Sequence, residues 1–266
     1  MTVQKQAPLP GARPVGAGGE REAAARVQDM FSRIAPRYDF LNHLLSFSLD
    51  HLWRRRTAKR FAPILRRPEA HVLDLCCGTG DLAFALASQR GAPCSPKTCG
   101  GPGEPTAVIG SDFVVAMLKR AAEKAREGQR GAIFVAADAL QLPFADASFD
   151  LVTTAFGFRN LANYESGLRE IARVLRCGGE AGILEFAEPR PGPFSALFRF
   201  YFRQVLPRIG GAISGSREAY AYLPGSVARF PSPQELAALM EKNGFTNVGI
   251  TSWNFGSVIL YSARVP

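Results

Sequence analysis

Three acidic residues close three successive apolar runs. Asp74 sits in Val72-Leu73-Asp74-Leu75-Cys76, directly before Cys77-Gly78-Thr79-Gly80-Asp81. Asp112 ends Val108-Ile109-Gly110-Ser111, and Asp138 ends Ala136-Ala137 ahead of Ala139. Small residues at a strand exit let the backbone turn sharply and approach a ligand. The helix behind such a turn offers unpaired N–H groups and the positive end of its dipole. Gly78, Thr79 and Gly80 therefore read as a cradle for a carboxylate or a phosphate. A carboxylate at Asp112 can accept hydrogen bonds from both hydroxyls of a ribose, and Asp138 with Ala139 is placed to meet an adenine amino group. Each acid alone would serve as a helix N-cap, but three at successive strand ends point to one shared ligand.

The spacing narrows the ligand. The turn lacks the third glycine of G-x-G-x-x-G, which argues against a nicotinamide dinucleotide, and the Lys-Ser/Thr of a phosphate-binding loop is also missing. The ordering of the three acids favours S-adenosylmethionine over a nicotinamide dinucleotide, with Asp74, Gly78, Thr79, Gly80, Asp112, Asp138 and Ala139 as its candidate contacts. The gap from the glycine turn to Asp112 exceeds the ~20 residues of dinucleotide folds. A Pro/Gly-rich stretch over residues 91–105 accounts for the excess.

These residues need a scaffold, and the periodicity supplies one. Strands are expected over residues 71–76, 107–111, 133–137, 149–155, 179–186, 246–251 and 257–263. Helices are expected over 81–89, 113–126, 163–175 and from Ser232-Pro233-Gln234-Glu235 to Asn243-Gly244, the last opened by a capping box. Strands alternating with helices of this length predict an α/β fold, Rossmann-like, with a mostly parallel seven-stranded sheet and helices on both faces. Before the first strand, residues 20–34, 39–45 and 50–61 read as helices, the last with Asp50 as its N-cap, and together make an N-terminal helical cover over residues 20–62. Residues 193–209 read as one aromatic, basic helix. The chain is thus read as a single domain over residues 20–266, with a disordered lead-in over 1–19, an inserted flexible loop over 91–105 and a lid or substrate segment over 189–230.

Composition sets limits. The chain has 266 residues, 47% of them hydrophobic, with no apolar run near the ~20 residues of a membrane helix. The N-terminus lacks the pattern of a secretory signal, which places the protein in the cytoplasm. Five cysteines, an odd number, argue against a disulfide framework. Cys94 and Cys99 have no His or further Cys pair nearby, so no metal is expected. The net charge of +9 is concentrated: residues 50–67 carry seven basic side chains against one acidic, and residues 189–230 carry six against one. Such segments suit an anionic partner or simply solvated helix faces.

The chain resembles the UbiE/MenG/Coq5 family of quinone-biosynthesis C-methyltransferases, from about Val27 to the C-terminus. The blocks that carry the likeness include Ile34-Ala35-Pro36-Arg37-Tyr38-Asp39-Phe40-Leu41-Asn42, Leu49-Asp50-His51-Leu52-Trp53-Arg54 and Asp74 to Leu82. Leu142-Pro143-Phe144, Phe156-Gly157-Phe158-Arg159-Asn160-Leu161, Leu184-Glu185-Phe186 and Val205-Leu206-Pro207-Arg208-Ile209-Gly210 complete them. Leu142-Pro143-Phe144 is common to many methyltransferases, whereas the first block, Arg159-Asn160 and the last are specific. Cys76 replaces the first glycine of the general methyltransferase motif, and the 91–105 insertion is not typical of the family.

The resemblance implies a class I methyltransferase fold and methylation of a ring carbon of a polyprenylated quinol. The Asp74–Gly80 run looks more like the menaquinone branch, so demethylmenaquinol is the expected acceptor. An electron-poor quinone would not attack the sulfonium methyl, whereas a quinol does, more readily once a hydroxyl is deprotonated. The resemblance nominates Arg159 and Asn160 at the end of the fourth strand, with Tyr38 and Asn42 from the cover, as catalytic. Arginine, with a pKa above about 12, is a poor base, so Arg159 is read as stabilising phenolate charge or orienting a water; a structural ion-pair role is its alternative. The Phe/Leu/Arg mixture of residues 193–209 suits a lid over an isoprenoid or a segment lying on anionic lipid, giving transient contact with the inner face of the cell membrane but no span. The family often forms homodimers, although no seam is readable here. Competing readings are a ubiquinone precursor or a soluble phenol as acceptor, a nucleic-acid methyltransferase, and a non-catalytic S-adenosylmethionine-binding protein. No RNA-binding module or Asn-Pro-Pro-Tyr-like sequence is present, so nucleic acid is not an expected partner.

Overall fold

The computed structural model describes residues 11–14, 16–90, 106–128, 131–189, 192–205, 208 and 217–266. Residues 1–10 of the expected lead-in, the whole 91–105 insertion with Cys94 and Cys99, and most of the Leu206–Gly210 block lie outside the described residues. Part of the lead-in is packed: Ala12 is buried, its N–H donates to the Leu161 carbonyl at 2.7 Å, and Arg13 reaches the Ala162 carbonyl at 3.0 Å.

Seven strands form one sheet: β1 (Val72–Leu75), β2 (Val108–Asp112), β3 (Ala132–Ala136), β4 (Phe149–Ala155), β5 (Leu175–Phe186), β6 (Thr246–Trp253) and β7 (Val258–Arg264). Their spatial order is β3-β2-β1-β4-β5-β7-β6. The β1–β2, β1–β4, β2–β3 and β4–β5 pairs are parallel, and β7 runs antiparallel to both β5 and β6. The order reverses between β1 and β4, and in doubly wound sheets the crevice at that reversal, beyond the carboxyl ends of the strands, is where ligands bind.

Helices cover both faces. On one, α7 (Tyr164–Val174) and α10 (Pro233–Lys242) bury Leu168, Ile171, Leu236 and Met240 against Leu73, Leu75, Val152 and Ile183. On the other, α3 (Leu49–Arg60), α4 (Ala62–Leu65) and α5 (Asp81–Ala87) bury Trp53, Phe61, Leu65, Leu82 and Leu86 against Val72, Leu151 and Leu184. The two-residue period of β1 explains the split, with Val72 facing one layer and Leu73 and Leu75 the other. A third cluster roofs the strand ends. There α1 (Glu20–Ile34) and α2 (Tyr38–Leu45) bury Met30, Ile34, Leu41 and Leu45 with Val114 and Met117 of the α6 (Val115–Arg126) region and Val227 of α9 (Arg217–Arg229). The N-terminal helices therefore divide: α1 and α2 form the roof, while α3 and α4 belong to a sheet layer.

Three local expectations change. Helix α3 starts at Leu49 after Ser48 in the left-handed region (φ 59°), so Asp50 is not its N-cap but a buried residue inside the first turn. β5 begins at Leu175, before the Cys177-Gly178-Gly179 turn, with a register irregularity where it meets β4. Residues 193–209 are not one regular helix: α8 (Pro193–Phe200) widens into a π turn over Tyr201–Val205. The capping box of α10 is present, with the Glu235 N–H donating to the Ser232 hydroxyl and the Ser232 N–H donating to the Glu235 carboxylate.

Candidate active site

Two cavities adjoin at the carboxyl ends of β1 and β4. The first is lined by Asp74, Gly78, Thr79, Asp112, Asp138 and Ala139, so the structure brings together every expected cofactor contact but Gly80. Gly80 lies beneath, at the N-cap of α5 with φ 86°, where an added Cβ would come within 2.8 Å of the Phe134 ring. The turns after β1 and β4 touch: a Cβ on Gly157 would sit 2.4 Å from the Cβ of Cys76. Cys76 (φ 52°) and Phe156 (φ 59°) both adopt the left-handed region. Such conformations cost non-glycine residues about 1–3 kcal/mol and gather at functional sites. The first motif position is thus still a glycine conformation although a cysteine occupies it.

Both strand-end carboxylates are buried. Asp112 accepts the N–H of Gly78 at 2.9 Å and that of Val114 at 2.8 Å, clamping the glycine turn to β2. Asp74 accepts the Thr153 hydroxyl at 3.0 Å through Oδ1, while its Oδ2 is buried with no partner. Burial pushes the Asp74 carboxyl up to about 7, against the opposing Thr153 hydrogen bond, and that of Asp112 up to about 6, against its backbone hydrogen bonds. An orphaned carboxylate oxygen in a cleft is poorly satisfied alone and suits a cationic or N–H-bearing ligand. Asp138 is exposed and accepts the Leu140 N–H at 2.9 Å. The lining of this cleft thus offers carboxylates, a glycine turn and an orphaned acceptor of the kinds that the amino-acid, ribose and adenine parts of S-adenosylmethionine can engage.

The second cavity, of about 420 Å³, is mainly apolar. Trp53, Phe156, Phe186, Phe198 and Tyr201 line it beside Asn42, Asp50, Arg54 and Arg159. Phe156 and Phe186 stack with centroids 4.4 Å apart, and Trp53 meets Phe186 edge-on. Tyr38, Arg54 and Phe156 line both cavities and mark where they meet.

The four residues expected to be catalytic do not share one cavity. Tyr38 stands at the junction, with its hydroxyl pKa raised by burial against the pull of Arg159, Arg54 and a hydrogen bond from Asn42. Asn42 and Arg159 face the apolar cavity, whereas Asn160 lines the cofactor-side cleft and accepts the Tyr222 hydroxyl at 3.2 Å. Arg159 is buried and paired with the fully buried Glu185 at 2.9 Å. Its Nη1 also donates to the Phe156 carbonyl, and its Nε is buried without a partner. Glu185 additionally accepts the N–H of Arg159 and of Phe186.

Sequence reasoning missed a charged network under the junction. Asp50 accepts from His43 at 2.8 Å, from the Ser46 hydroxyl at 2.6 Å and from Arg54. Arg54 lies 3.7 Å from Asp81, and Lys124 bridges Asp81 at 2.5 Å and Asp39 at 3.0 Å. Asp39 in turn accepts the Thr79 hydroxyl at 2.5 Å. The Asp50–Arg54 spacing of four residues was the available signal, since such pairs meet on a helix. Several basic residues counted over 50–67 are likewise paired within the fold: Arg60 with Glu180 at 3.5 Å and Arg67 with Asp150 at 3.1 Å.

The doubly wound sheet, the carboxylate-lined cleft and the adjoining cavity define an S-adenosylmethionine-dependent methyltransferase of Rossmann-like fold. The fold matches a methyltransferase from Thermotoga maritima (TM-score 0.60, 18% identity, 90% of this chain and 99% of that one). It also matches one from Aquifex aeolicus (TM-score 0.58, 17% identity, 86% and 98%). The chain belongs to the ubiE/COQ5 methyltransferase family, whose model matches residues 20–264. It is 45% identical to the demethylmenaquinone methyltransferase of Deinococcus radiodurans over 92% of each chain. With that of Thermus thermophilus it is 48% identical, over 82% of this chain and 91% of the other. The ubiquinone/menaquinone biosynthesis C-methyltransferase of Geotalea uraniireducens is 43% identical over 85% and 91%.

Proposed function

We propose that this protein methylates a ring carbon of demethylmenaquinol, using S-adenosylmethionine, in respiratory quinone biosynthesis. The observation that carries the reading is the meeting of a carboxylate-lined cleft and an aromatic cavity at Tyr38, Arg54 and Phe156. The relatives named for demethylmenaquinone favour the menaquinone branch. The bound sulfonium would supply an activated methyl group. The chain's own work is to hold it against an electron-rich carbon, since correct placement accounts for much of such a rate enhancement. Asp74 and Asp112 would bind the amino-acid and ribose ends, Gly78 and Thr79 the carboxylate, and Asp138 with Ala139 the adenine.

The aromatic faces of Phe156, Phe186 and Trp53 would hold the fused ring flat and dry. Arg159 is fixed by Glu185 and is not a base; its spare guanidinium N–H would stabilise the phenolate oxygen, as preorganised donors do. Tyr38 and Asn42 would orient the ring hydroxyl. The cavity is lined in part by exposed apolar side chains, Phe47 after α2, Leu49 at the start of α3 and Leu197 on α8, and α2 and α8 also expose Phe40, Leu44 and Phe200. These side chains support a prenyl tail leaving toward a membrane surface, with the enzyme acting from the cytoplasmic side. Among the described residues, no helix is long and apolar enough to cross a membrane.

The test is methyl transfer from labelled S-adenosylmethionine to demethylmenaquinol, with the oxidised quinone as a paired control. Label in the reduced substrate alone is the expected result. Label in neither, with the cofactor bound, would overturn the acceptor assignment and leave the fold standing.

A further inference from the structure

A para-quinol carries two ring oxygens. Arg159, Tyr38 and Asn42 serve the one beside the carbon that takes the methyl group. The other also needs a partner, because an unpaired polar group is costly in a mainly apolar cavity. Several polar side chains on the cavity wall are already committed. The Ser46 hydroxyl and the Arg54 guanidinium both donate to Asp50, and the Ser257 hydroxyl donates to the Asn254 carbonyl at 2.9 Å.

The Asn254 side chain differs. It belongs to the cavity lining, in the turn between β6 and β7, and its Oδ1 accepts the indole N–H of Trp53 at 2.9 Å. An indole N–H only donates. The amide oxygen must therefore face Trp53, and the two N–H groups of Nδ2 occupy the other branch of the amide. Among the described residues, no hydrogen bond takes up that Nδ2.

The turn is built to hold this side chain in place. Asn254, Phe255 and Gly256 all adopt positive φ, at 50°, 58° and 89°. Asparagine tolerates that region and glycine enters it freely, whereas phenylalanine is strained there, as residues near functional sites often are. The turn is braced against the end of β5. The Ser257 N–H donates to the Asn254 carbonyl at 3.1 Å, and the Ala187 N–H donates to the Ser257 carbonyl at 3.0 Å. Both β5 and β6 run antiparallel to β7. The carboxyl end of β6 therefore reaches the same edge of the sheet as the end of β5, with Phe186, and the turn after β4, with Arg159. Trp53, whose N–H is held by Asn254, meets Phe156 and Phe186 edge-on.

We infer that Asn254, through Nδ2, binds the ring oxygen para to the one that drives methyl transfer, and so sets the ring against the sulfonium methyl. The inference rests on the aromatic cavity being the quinol site. An amide N–H donates to a hydroxyl oxygen and to a carbonyl oxygen alike. Asn254 thus distinguishes acceptors with two para oxygens from those with one, and leaves the choice between reduced and oxidised rings to the chemistry of the transfer.

The experiment pairs demethylmenaquinol with the prenylated naphthol that keeps the hydroxyl beside the attacked carbon and lacks the para one. Both are electron-rich enough to attack the methyl group. They are compared in the wild type, in Asn254→Gly, which suits the φ of 50°, and in Asn254→Asp, which keeps an acceptor for Trp53 but removes the donor. The wild type should favour the quinol by about tenfold in kcat/KM, the size of one hydrogen bond between neutral groups. Both variants should lose that preference, with KM for S-adenosylmethionine within about twofold of wild type. An equal loss on both acceptors would reduce Asn254 to a support for Trp53 and overturn the inference. A preference retained in both variants, or absent from the wild type, overturns it as well, and each of these leaves the acceptor assignment intact. Failure of the wild type to methylate either acceptor would overturn both readings.

Discussion

At the scale of single residues, Asp74 and Asp112 set the pH behaviour of the carboxylate-lined cleft. Both carboxyls have an ordinary value of 3.8 and are lifted by burial, to about 7 and about 6. A carboxyl with a raised folded pKa binds its proton more tightly in the folded chain than in the unfolded one. The protein without cofactor should therefore lose stability as pH rises from about 4 to about 7, the window between the two states' values. A cofactor that needs the ionised carboxylates pulls the other way. Its affinity should rise over the upper part of the same window, by about tenfold per unit of pH for each proton released. Calorimetry across that range checks the sign, and affinity that falls with rising pH would remove these carboxylates from the cofactor site. Asp112→Ala should weaken cofactor binding by ~1.5–3 kcal/mol for each hydrogen bond lost to the charged acceptor. It should also release the Gly78 N–H that Asp112 now holds. Affinity equal to the wild type's would exclude a ribose contact.

At the scale of elements, the Arg159–Glu185 pair ties the turn after β4 to the end of β5. Glu185 lies at the β5–β7 register, opposite Ile259, and the carboxylate also holds two backbone N–H groups. Removing one partner of a buried pair leaves the other charge uncompensated, which typically costs about 3–5 kcal/mol. Glu185→Ala should therefore lower unfolding stability by that order in denaturant titration, whereas an exposed pair such as Lys242–Glu165 should contribute at most about 1 kcal/mol. If Glu185→Ala keeps wild-type stability, the pair is not what fixes Arg159 beside the cavity. On the opposite side, the Tyr201 hydroxyl donates to the Leu45 carbonyl at 2.8 Å and its ring lies 5.7 Å from Phe47. This joins the π turn after α8 to the roof and closes one wall of the aromatic cavity.

At the scale of the whole molecule, exposed apolar side chains border the aromatic cavity, where Phe47, Leu49 and Leu197 both line it and meet solvent. The outer face of α3 continues that border, passing from Leu49 and Leu52 to the exposed Arg55, Arg56 and Lys59. Apolar side chains flanked by basic ones bind anionic lipid surfaces, and the electrostatic share weakens with salt. The enzyme should co-float with vesicles containing anionic lipid, less so at high salt, and Phe40→Glu with Phe200→Glu should reduce flotation. Flotation unaffected by the double change would move the contact to another face.

The sequence by itself determined the strand and helix order, the glycine turn and the three strand-end acids, because each is written in local chemistry: periodicity, turn residues and charge. Asp74, Asp112 and Asp138 fall where their strands end, and parallel pairing brings those ends into one cleft. The separation of Arg159 from Asn160 into different cavities, the conversion of Asp50 from a cap into a buried acceptor, and the Glu185 clamp were decided by the tertiary structure. Each depends on residues far apart in sequence meeting in a place where water is excluded. Burial determines whether a charge is a solvated surface group or must find a partner, and burial is a property of the packed chain, which no single segment carries.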